Sequence, residues 1–342
     1  MRPQIRKSRG FALVDLIALV VIGVLVLAIL TSVLGRVKQA ARIHVCLSNL
    51  RAIGQASNAY LTEYADLPWA LPSPYSVRGQ RFIWPLYTEF VWGGGRPDKS
   101  STDFQRAGGD SRLNPYGSDV YQLPPRDRPM NRFISPAVSW SDPNREFRAP
   151  ARTEIPMKLP GLFKCPSDST IEIPLVGGQN PDRGIGSPFS TWEFWGSSYP
   201  LNWLWPYYYL SAPPGNMPPY TGSNRFLRII GAWRERGGEM VPGLGKHLLK
   251  DKGGRWASRF ITFFENRANF AFAAAAPRGA HNPSPRRTTG WHGRTNYHVA
   301  GFRDGGARYM EFDTRWLNGA GWTLWPNHPW EGAWEPFDPL NP

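Results

Sequence analysis

Residues 16–35 read LIALVVIGVLVLAILTSVLG, twenty residues without a charge. Fourteen of the side chains between Leu16 and Leu34 are Leu, Ile or Val. At the helical rise of about 1.5 Å per residue, roughly 20 residues reach about 30 Å, the thickness of a bilayer's hydrocarbon core. Each Leu, Ile or Val favours insertion by roughly 0.3–0.6 kcal/mol, so the stretch gains about 4–8 kcal/mol. Between Gly10 and Gly35 the one charge is Asp15. It costs up to about 3 kcal/mol at the bilayer centre and less near the edge. Insertion is favoured, and residues 11–35 are predicted to form a transmembrane helix. The rival reading is a cleaved signal peptide. Its apolar core would be shorter, and no A-x-A cleavage site follows this run.

Upstream, residues 1–10 read MRPQIRKSRG, with Arg2, Arg6, Lys7 and Arg9. Such a basic leader stays on the cytoplasmic side by the positive-inside rule, which places the rest of the chain outside; Arg36, Lys38 and Arg42 act against it. Downstream the pattern becomes amphipathic. Cys46, Leu50, Ile53, Ser57, Tyr60 and Tyr64 recur at helical spacing, and Ile43, Leu47 and Leu61 widen that face. Arg42, Arg51, Gln55 and Glu63 fall elsewhere, and Pro68, after Asp66, marks the exit. The pattern predicts one helix from about Phe11 to Tyr64. Residues 11–35 lie in lipid, and residues 36–66 pack on a domain. The alternative is a membrane helix followed by a separate short helix.

With 41% hydrophobic and 19% charged residues, the 342-residue chain suits a folded protein. Its 34 Pro and 35 Gly favour short strands and loops over a helical bundle. Sixteen Trp, 13 Tyr and 18 Phe suit a β-rich core or an adhesive surface. The net charge of +14 comprises +5 in residues 1–66 (8 Lys/Arg against 3 Asp/Glu) and a scattered +9 beyond (32 against 23). Lipid headgroups and acidic envelope polymers are fitting partners for such charge. Nucleic acid is not expected, because no recognition motif accompanies the charge. Cys46 and Cys165 form no CxxC pair, which argues against a thiolate metal site. In an extracytoplasmic domain they would form one disulfide; otherwise they are two buried thiols. No nucleophile elbow, phosphate-cradling Gly loop or paired-carboxylate signature points to an enzyme.

Residues 67–342 are predicted to form one globular domain. Its 67–225 portion, dense in Pro, Gly, Trp and Tyr, reads as loops and short strands. Trp203-Leu204-Trp205-Pro206-Tyr207-Tyr208-Tyr209 suits either a platform for sugar rings or core packing. A sheet is predicted over about residues 226–312 from five short apolar or β-branched runs. These are Phe226–Trp233, Arg259–Phe264, Asn269–Ala274, Tyr297–Phe302 and Ala307–Phe312. Asp304-Gly305-Gly306 reads as the turn between the last two. Glu265, His292, His298 and Asp304 are candidate metal ligands. Asp304-Gly305 offers the start of a Ca²⁺ set, but neither a Ca²⁺ nor a zinc set is complete in the sequence. Trp316, Trp322, Trp325, Trp330 and Trp334 form a tail that either wraps the domain or stands exposed.

Several of these stretches resemble the type IV pilin-like family, whose members carry a prepilin-type cleavage and methylation segment. Ser8-Arg9-Gly10-Phe11-Ala12-Leu13-Val14-Asp15-Leu16 resembles that segment. The resemblance implies a cut by prepilin peptidase between Gly10 and Phe11 and N-methylation of Phe11. The position of Asp15 is usually Glu in the family, where the carboxylate meets the N-terminal amine of a neighbouring subunit during assembly. Asp is one methylene shorter, which bears on filament assembly more than on cleavage. Residues Ala40 to Ala56 resemble a second signature, an Ala/Arg-rich turn before a Cys, an Asn-Leu segment and the pair Ile53-Gly54. Tyr60 to Pro68 is similar to the family's Tyr…Leu-Pro exit. Leu162-Phe163-Lys164-Cys165-Pro166-Ser167-Asp168 resembles a Cys-Pro-x-Asp element, and by that resemblance Cys165 pairs with Cys46. His292 to Asn296, with Phe302 to Gly305, resembles a closing motif of His, Asn and Asp-Gly. Eleven residues separate His292 from Asp304 where the family has nine. Glu265 falls where the family often has a Glu at a strand end. The likeness covers residues 8–68, returns at Cys165-Pro166 and 292–305, and is absent between.

The resemblance implies an α+β fold, a long N-terminal helix packed on an antiparallel β-sheet with large loop-rich insertions. It implies a single-pass protein of the inner membrane and a structural subunit of a type IV pilus or type II secretion pseudopilus. Prepilin peptidase, sister subunits and the bilayer would be its partners, and no cofactor is expected. The alternative is an anchored envelope module that binds glycan through aromatic side chains and never polymerises.

Overall fold

Helix α1 runs unbroken from Leu13 to Tyr64, 52 residues. No proline interrupts it, and Pro68 follows just beyond its end. Asp15 lies in its first turn, where the helix dipole favours an anion. The computed structural model describes residues 13–64, 68, 76–77, 80–81, 90, 92–95, 128–136, 161–168, 190–192, 196–202, 257–272, 288–313 and 318–324. The chain divides into two units, residues 1–42 and 43–342.

In the first unit, all Leu, Ile and Val side chains from Leu16 to Val37 are 48–67% exposed. Thr31 satisfies its hydroxyl within the helix, donating to the Ala28 carbonyl at 3.0 Å. A helix apolar on every side matches lipid or other apolar helices rather than water. By length and composition α1 is the one helix among the described residues able to cross a membrane, an 18-residue stretch of it having mean hydropathy 3.1.

In the second unit the continuation of α1 is two-faced, as predicted. Cys46, Leu50 and Ile53 are completely buried, and Arg51, Gln55 and Glu63 are exposed. Tyr64 departs from the pattern. It is 40% exposed at the helix end, where its ring meets Tyr60 and Phe133. Strands β1 (Ser76–Val77) and β2 (Gln80–Arg81) form a two-residue ribbon, and α2 (Asn131–Ile134) is one helical turn. The main sheet holds β3 (Ile261–Phe264), β4 (Tyr297–Phe302) and β5 (Ala307–Glu311) in antiparallel order. Strands β6 (Asn318–Gly319) and β7 (Trp322–Thr323) form a second ribbon.

The β4–β5 hairpin fits the sequence closely, because two short apolar or β-branched runs flank an Asp-Gly-Gly turn. Gly305 takes φ +83°, a backbone conformation that costs glycine nothing. Strand β3 pairs with β4 through a register shift between Ile261 and Phe263. Its free edge is covered, since the Asn202 amide donates to the Thr262 carbonyl at 2.7 Å. Residues 269–272 of the predicted strand Asn269–Ala274 are instead the end of helix α3 (Asn266–Phe272), and residues 273–274 lie outside the described residues. A short apolar run carries too little periodicity to separate helix from strand. Phe226–Trp233 lies outside the described residues.

The hydrophobic core joins Cys46, Leu47, Leu50 and Ile53 of α1 to Phe263, Val299 and Ala307 of the sheet. Trp92, Met130, Phe163, Cys165, Tyr199 and Leu201 complete it. Trp92 stacks near Phe263 with ring centroids 4.7 Å apart and donates its indole N–H to the Tyr199 carbonyl. Side chains alternate across a strand. Phe264 accordingly packs in a second cluster with Phe272, and Phe272 meets Phe312 and Trp322. The fold is thus α+β, with a long N-terminal helix and a small antiparallel sheet.

Helix and hairpin approach to backbone contact. A Cβ built on Gly54 would lie 3.2 Å from Gly305 Cα, and one on Gly301 would lie 3.4 Å from Leu50 Cβ. Asn58 fixes the alignment, donating to the Arg303 carbonyl at 2.7 Å. Gly54→Val is expected to destabilise the full-length protein by about 1–3 kcal/mol through overpacking. Leu50→Ala is expected to cost about 2–5 kcal/mol through a core cavity. Denaturant melts of the detergent-solubilised chain check both; an unchanged midpoint for Gly54→Val would disprove the close approach.

Candidate functional site

Cys46 and Cys165 form a disulfide with Cα atoms 5.4 Å apart across a sequence separation of 119 residues. Both are completely buried. The apolar face of α1 places Cys46, and a short 3₁₀ turn, Gly161–Phe163, delivers Cys165. Asn49, one helical turn beyond Cys46, holds that turn. Its side-chain amide donates to the carbonyls of Gly161 and Lys164, and lies 3.3 Å from the Tyr199 hydroxyl.

The residues after Cys165 are equally fixed. Asp168 accepts hydrogen bonds from the amides of Thr191 and Trp192, each at 2.9 Å, and from the Ser198 hydroxyl at 2.6 Å. Burial nonetheless pushes the Asp168 carboxyl up to about 6, outweighing these bonds, which favour its anion. Burial likewise lowers Arg128 to about 9 and raises Tyr199. The Arg128 guanidinium donates to the carbonyls of Phe90 and Gly93.

Beside the disulfide lies a buried polar cluster. Glu265 closes β3 and is 0% exposed. One of its oxygens, Oε1, accepts from His298 Nδ1 at 2.6 Å and from the Trp291 amide at 3.3 Å. The other, Oε2, faces His292 Nε2 at 3.8 Å and has no hydrogen-bond partner. His292 Nε2 is also 4.0 Å from Cys165 Sγ, and its Nδ1 is 3.4 Å from Ser167 Oγ. His298 Nε2 lies 3.2 Å from Thr288 Oγ1. Gly290 leaves room for the pair, since a Cβ there would stand 2.8 Å from Glu265 Oε1. Thr288, His298 and Glu265 thus repeat the order of hydroxyl, imidazole and carboxylate found in nucleophilic sites. All three are buried.

Of the four candidate metal ligands, Glu265, His292 and His298 come together and Asp304 does not. Asp304 Oδ1 accepts from the Gly306 amide at 2.8 Å and shapes the hairpin turn. Asn296 shapes another turn, with φ +60° and its side-chain oxygen accepting from the Thr288 amide. Among the described residues, Cys46, Cys165 and His292 are the group whose donor atoms lie close enough to share an ion, within 4.8 Å of one another. Gly10 and Phe11, Trp203–Tyr209 and most of the Trp tail lie outside the described residues; Trp322 of that tail is buried. Sequence reasoning missed the structural parts played by Asn49, Ser167 and Thr288. For Asn49 a signal existed, a polar residue inside an apolar helical stripe. No protein-family model matches the chain, and no curated protein or solved structure matches it.

Two outcomes follow from this geometry. Replacing Cys46 and Cys165 by Ser is expected to cost about 2–5 kcal/mol, read as a lower melting temperature than that of the oxidised chain. Asp168 has a folded pKa above its ordinary value. Its contribution to stability is therefore full below about pH 4 and lost as pH rises through about 6. Asp168→Asn should remove that pH dependence, about 3 kcal/mol between pH 4 and 7. Equal pH slopes in the two proteins would refute the assignment.

Proposed function

We propose that the chain is a membrane-anchored, pilin-like structural subunit, cut after Gly10 by prepilin peptidase and methylated on Phe11. One observation carries the reading. After Asp15 in its first turn, a single helix runs through an uncharged, exposed apolar stretch and continues as an amphipathic face buried on an antiparallel sheet. The apolar half holds the protein in the inner membrane, with the second unit outside the cytoplasm. The buried disulfide supports an oxidising compartment for that unit.

Assembly follows from the same chemistry. Lipid tails are as apolar as Leu, so exchanging lipid for neighbouring helices gains little hydrophobic free energy. Direction comes from charge. The Asp15 carboxylate, costly in lipid, is matched by the N-terminal amine that cleavage before Phe11 creates on a sister subunit. The family positions His292, Asn296, Asp304-Gly305 and Glu265 then hold the sheet, the hairpin turn and the helix in register, rather than performing catalysis.

Mass spectrometry of the mature N-terminus tests the proposal directly. The wild type is expected to begin at N-methylated Phe11, and Gly10→Val to retain the ten-residue leader. Unchanged mature size in the variant would refute the peptidase assignment. If cleavage is lost with Gly10→Val but the wild type never enters sheared surface fractions, the anchored, non-polymerising module takes its place.

A further inference from the structure

The second unit begins at Ile43, and an aromatic and cationic rim lies at that end of it. Gly301 of β4 packs against Leu50, and Gly305 beyond the strand packs against Gly54. Strand β4 therefore runs in the same sense as α1. Tyr297 lies four residues before Gly301, about 13 Å back towards the level of Ile43. Trp192, Trp291 and Tyr309 pack half-buried against the same core as Ile43. The Tyr309 ring is 5.6 Å from that of Tyr297, Arg294 lies 3.6 Å over the Tyr297 ring, and Lys164 lies 5.0 Å over that of Trp192. Both cations are exposed, and among the described residues neither forms an ion pair.

We infer that this rim docks on anionic phospholipid headgroups. Trp and Tyr side chains collect at membrane–water interfaces, where an apolar ring meets a polar layer. A cation stacked on such a ring keeps its charge for a lipid phosphate while the ring shields its underside. The charge along the adjoining helix agrees. Arg36, Lys38 and Arg42 are exposed, and no Asp or Glu occurs from Leu16 to Thr62. Basic residues close to an anionic surface are attracted to it within about 10 Å. They act against the positive-inside rule, and headgroup contact gives them a use. Glu311, exposed and opposite Tyr297 in the ladder, is an acidic neighbour that weakens the attraction.

Reach is fixed by the chain. Nine residues of unbroken helix separate Leu34 from Ile43, about 14 Å at the helical rise. The headgroup layer on each side of a bilayer is roughly 5–8 Å thick. Chain length alone therefore keeps Ile43 close to that layer, at any angle between the two units. Tethering makes docking an intramolecular event, so a rim of weak intrinsic affinity is held against lipid. The inference rests on the membrane-anchored reading and adds a second contact with the bilayer.

The test uses the full chain reconstituted in phosphatidylcholine vesicles with or without about 30% phosphatidylglycerol. Both native cysteines are bonded, so Thr295→Cys supplies one free thiol for an environment-sensitive dye on an exposed position of the rim. Thr62→Cys, 19 helical residues and about 29 Å beyond Ile43, is the control. The label at Thr295 is expected to shift to the blue and be quenched by a headgroup nitroxide in the anionic vesicles, and much less in the neutral ones. The label at Thr62 should do neither. Each cation near an anionic surface changes the docking ratio by roughly fivefold, so Lys164→Gln with Arg294→Gln should lower it about thirtyfold. Glu311→Gln should raise it. Equal quenching at the two sites, in the two lipids, or with the double variant would overturn the inference. A blue shift without quenching that grows with protein density would give the rim to a second copy and overturn it too. Alkaline carbonate separates the two readings. A chain retained in the vesicles but not quenched at Thr295 overturns docking alone, whereas a chain released from them overturns anchor and docking together.

Discussion

The amphipathic half of α1 touches the β4–β5 hairpin through backbone, because side chains are missing where the two meet. Gly54 on the helix faces Gly305 in the turn, and Gly301 in the strand faces Leu50. Glycine inside a helix costs about 1 kcal/mol relative to alanine. At Gly54 that cost is offset by proximity, which brings Leu50 and Ile53 into complete burial. The depth of this contact also determines what lies at its end. One helical turn before Leu50, Cys46 reaches the sulfur of Cys165, and the disulfide in turn walls one side of the His292–Glu265 cluster.

Buried polar groups impose the second level of order. Asn49, Asp168, Asn202 and Asn131 each bond to main chain from distant segments. Asn202, for example, donates to the carbonyls of both Ile261 and Leu324. Each such residue is expensive to bury unless every partner is in place, so it penalises alternative packings. A chain rich in Gly, Pro and aromatic residues gains specificity this way, since aromatic contacts alone tolerate many arrangements. The Asn131 side chain illustrates the point by pairing with both the amide and the carbonyl of Gly94.

Strong local periodicity made much of this legible. The buried and exposed faces of α1 follow from spacing, and β4 begins and ends where its apolar run does, because a glycine turn bounds it. Helix α3 was not legible, since Asn269–Ala274 is short, apolar and flanked by no periodic pattern. Within the site, the sequence offered Glu265, His292 and His298 as separate candidates. Their meeting depends on tertiary geometry, since Glu265 and His298 are 33 residues apart and on different elements. Asp304, equally attractive in sequence, is committed to its own turn. Pairing of Cys46 with Cys165 was implied by likeness rather than by spacing, and geometry supplied the bond.

The 119-residue separation closed by the disulfide bears on how much change in chain length the frame tolerates. The entropy of closing a loop grows only with the logarithm of its length, so doubling it costs about 0.6 kcal/mol. With Tyr64 at one margin and Gly161 at the other, insertions and deletions between them are cheap so long as Trp92 and Met130 keep their core places. A change of length in that stretch therefore costs little, while the frame that Cys46, Gly54, Cys165 and Gly305 hold together stays in place.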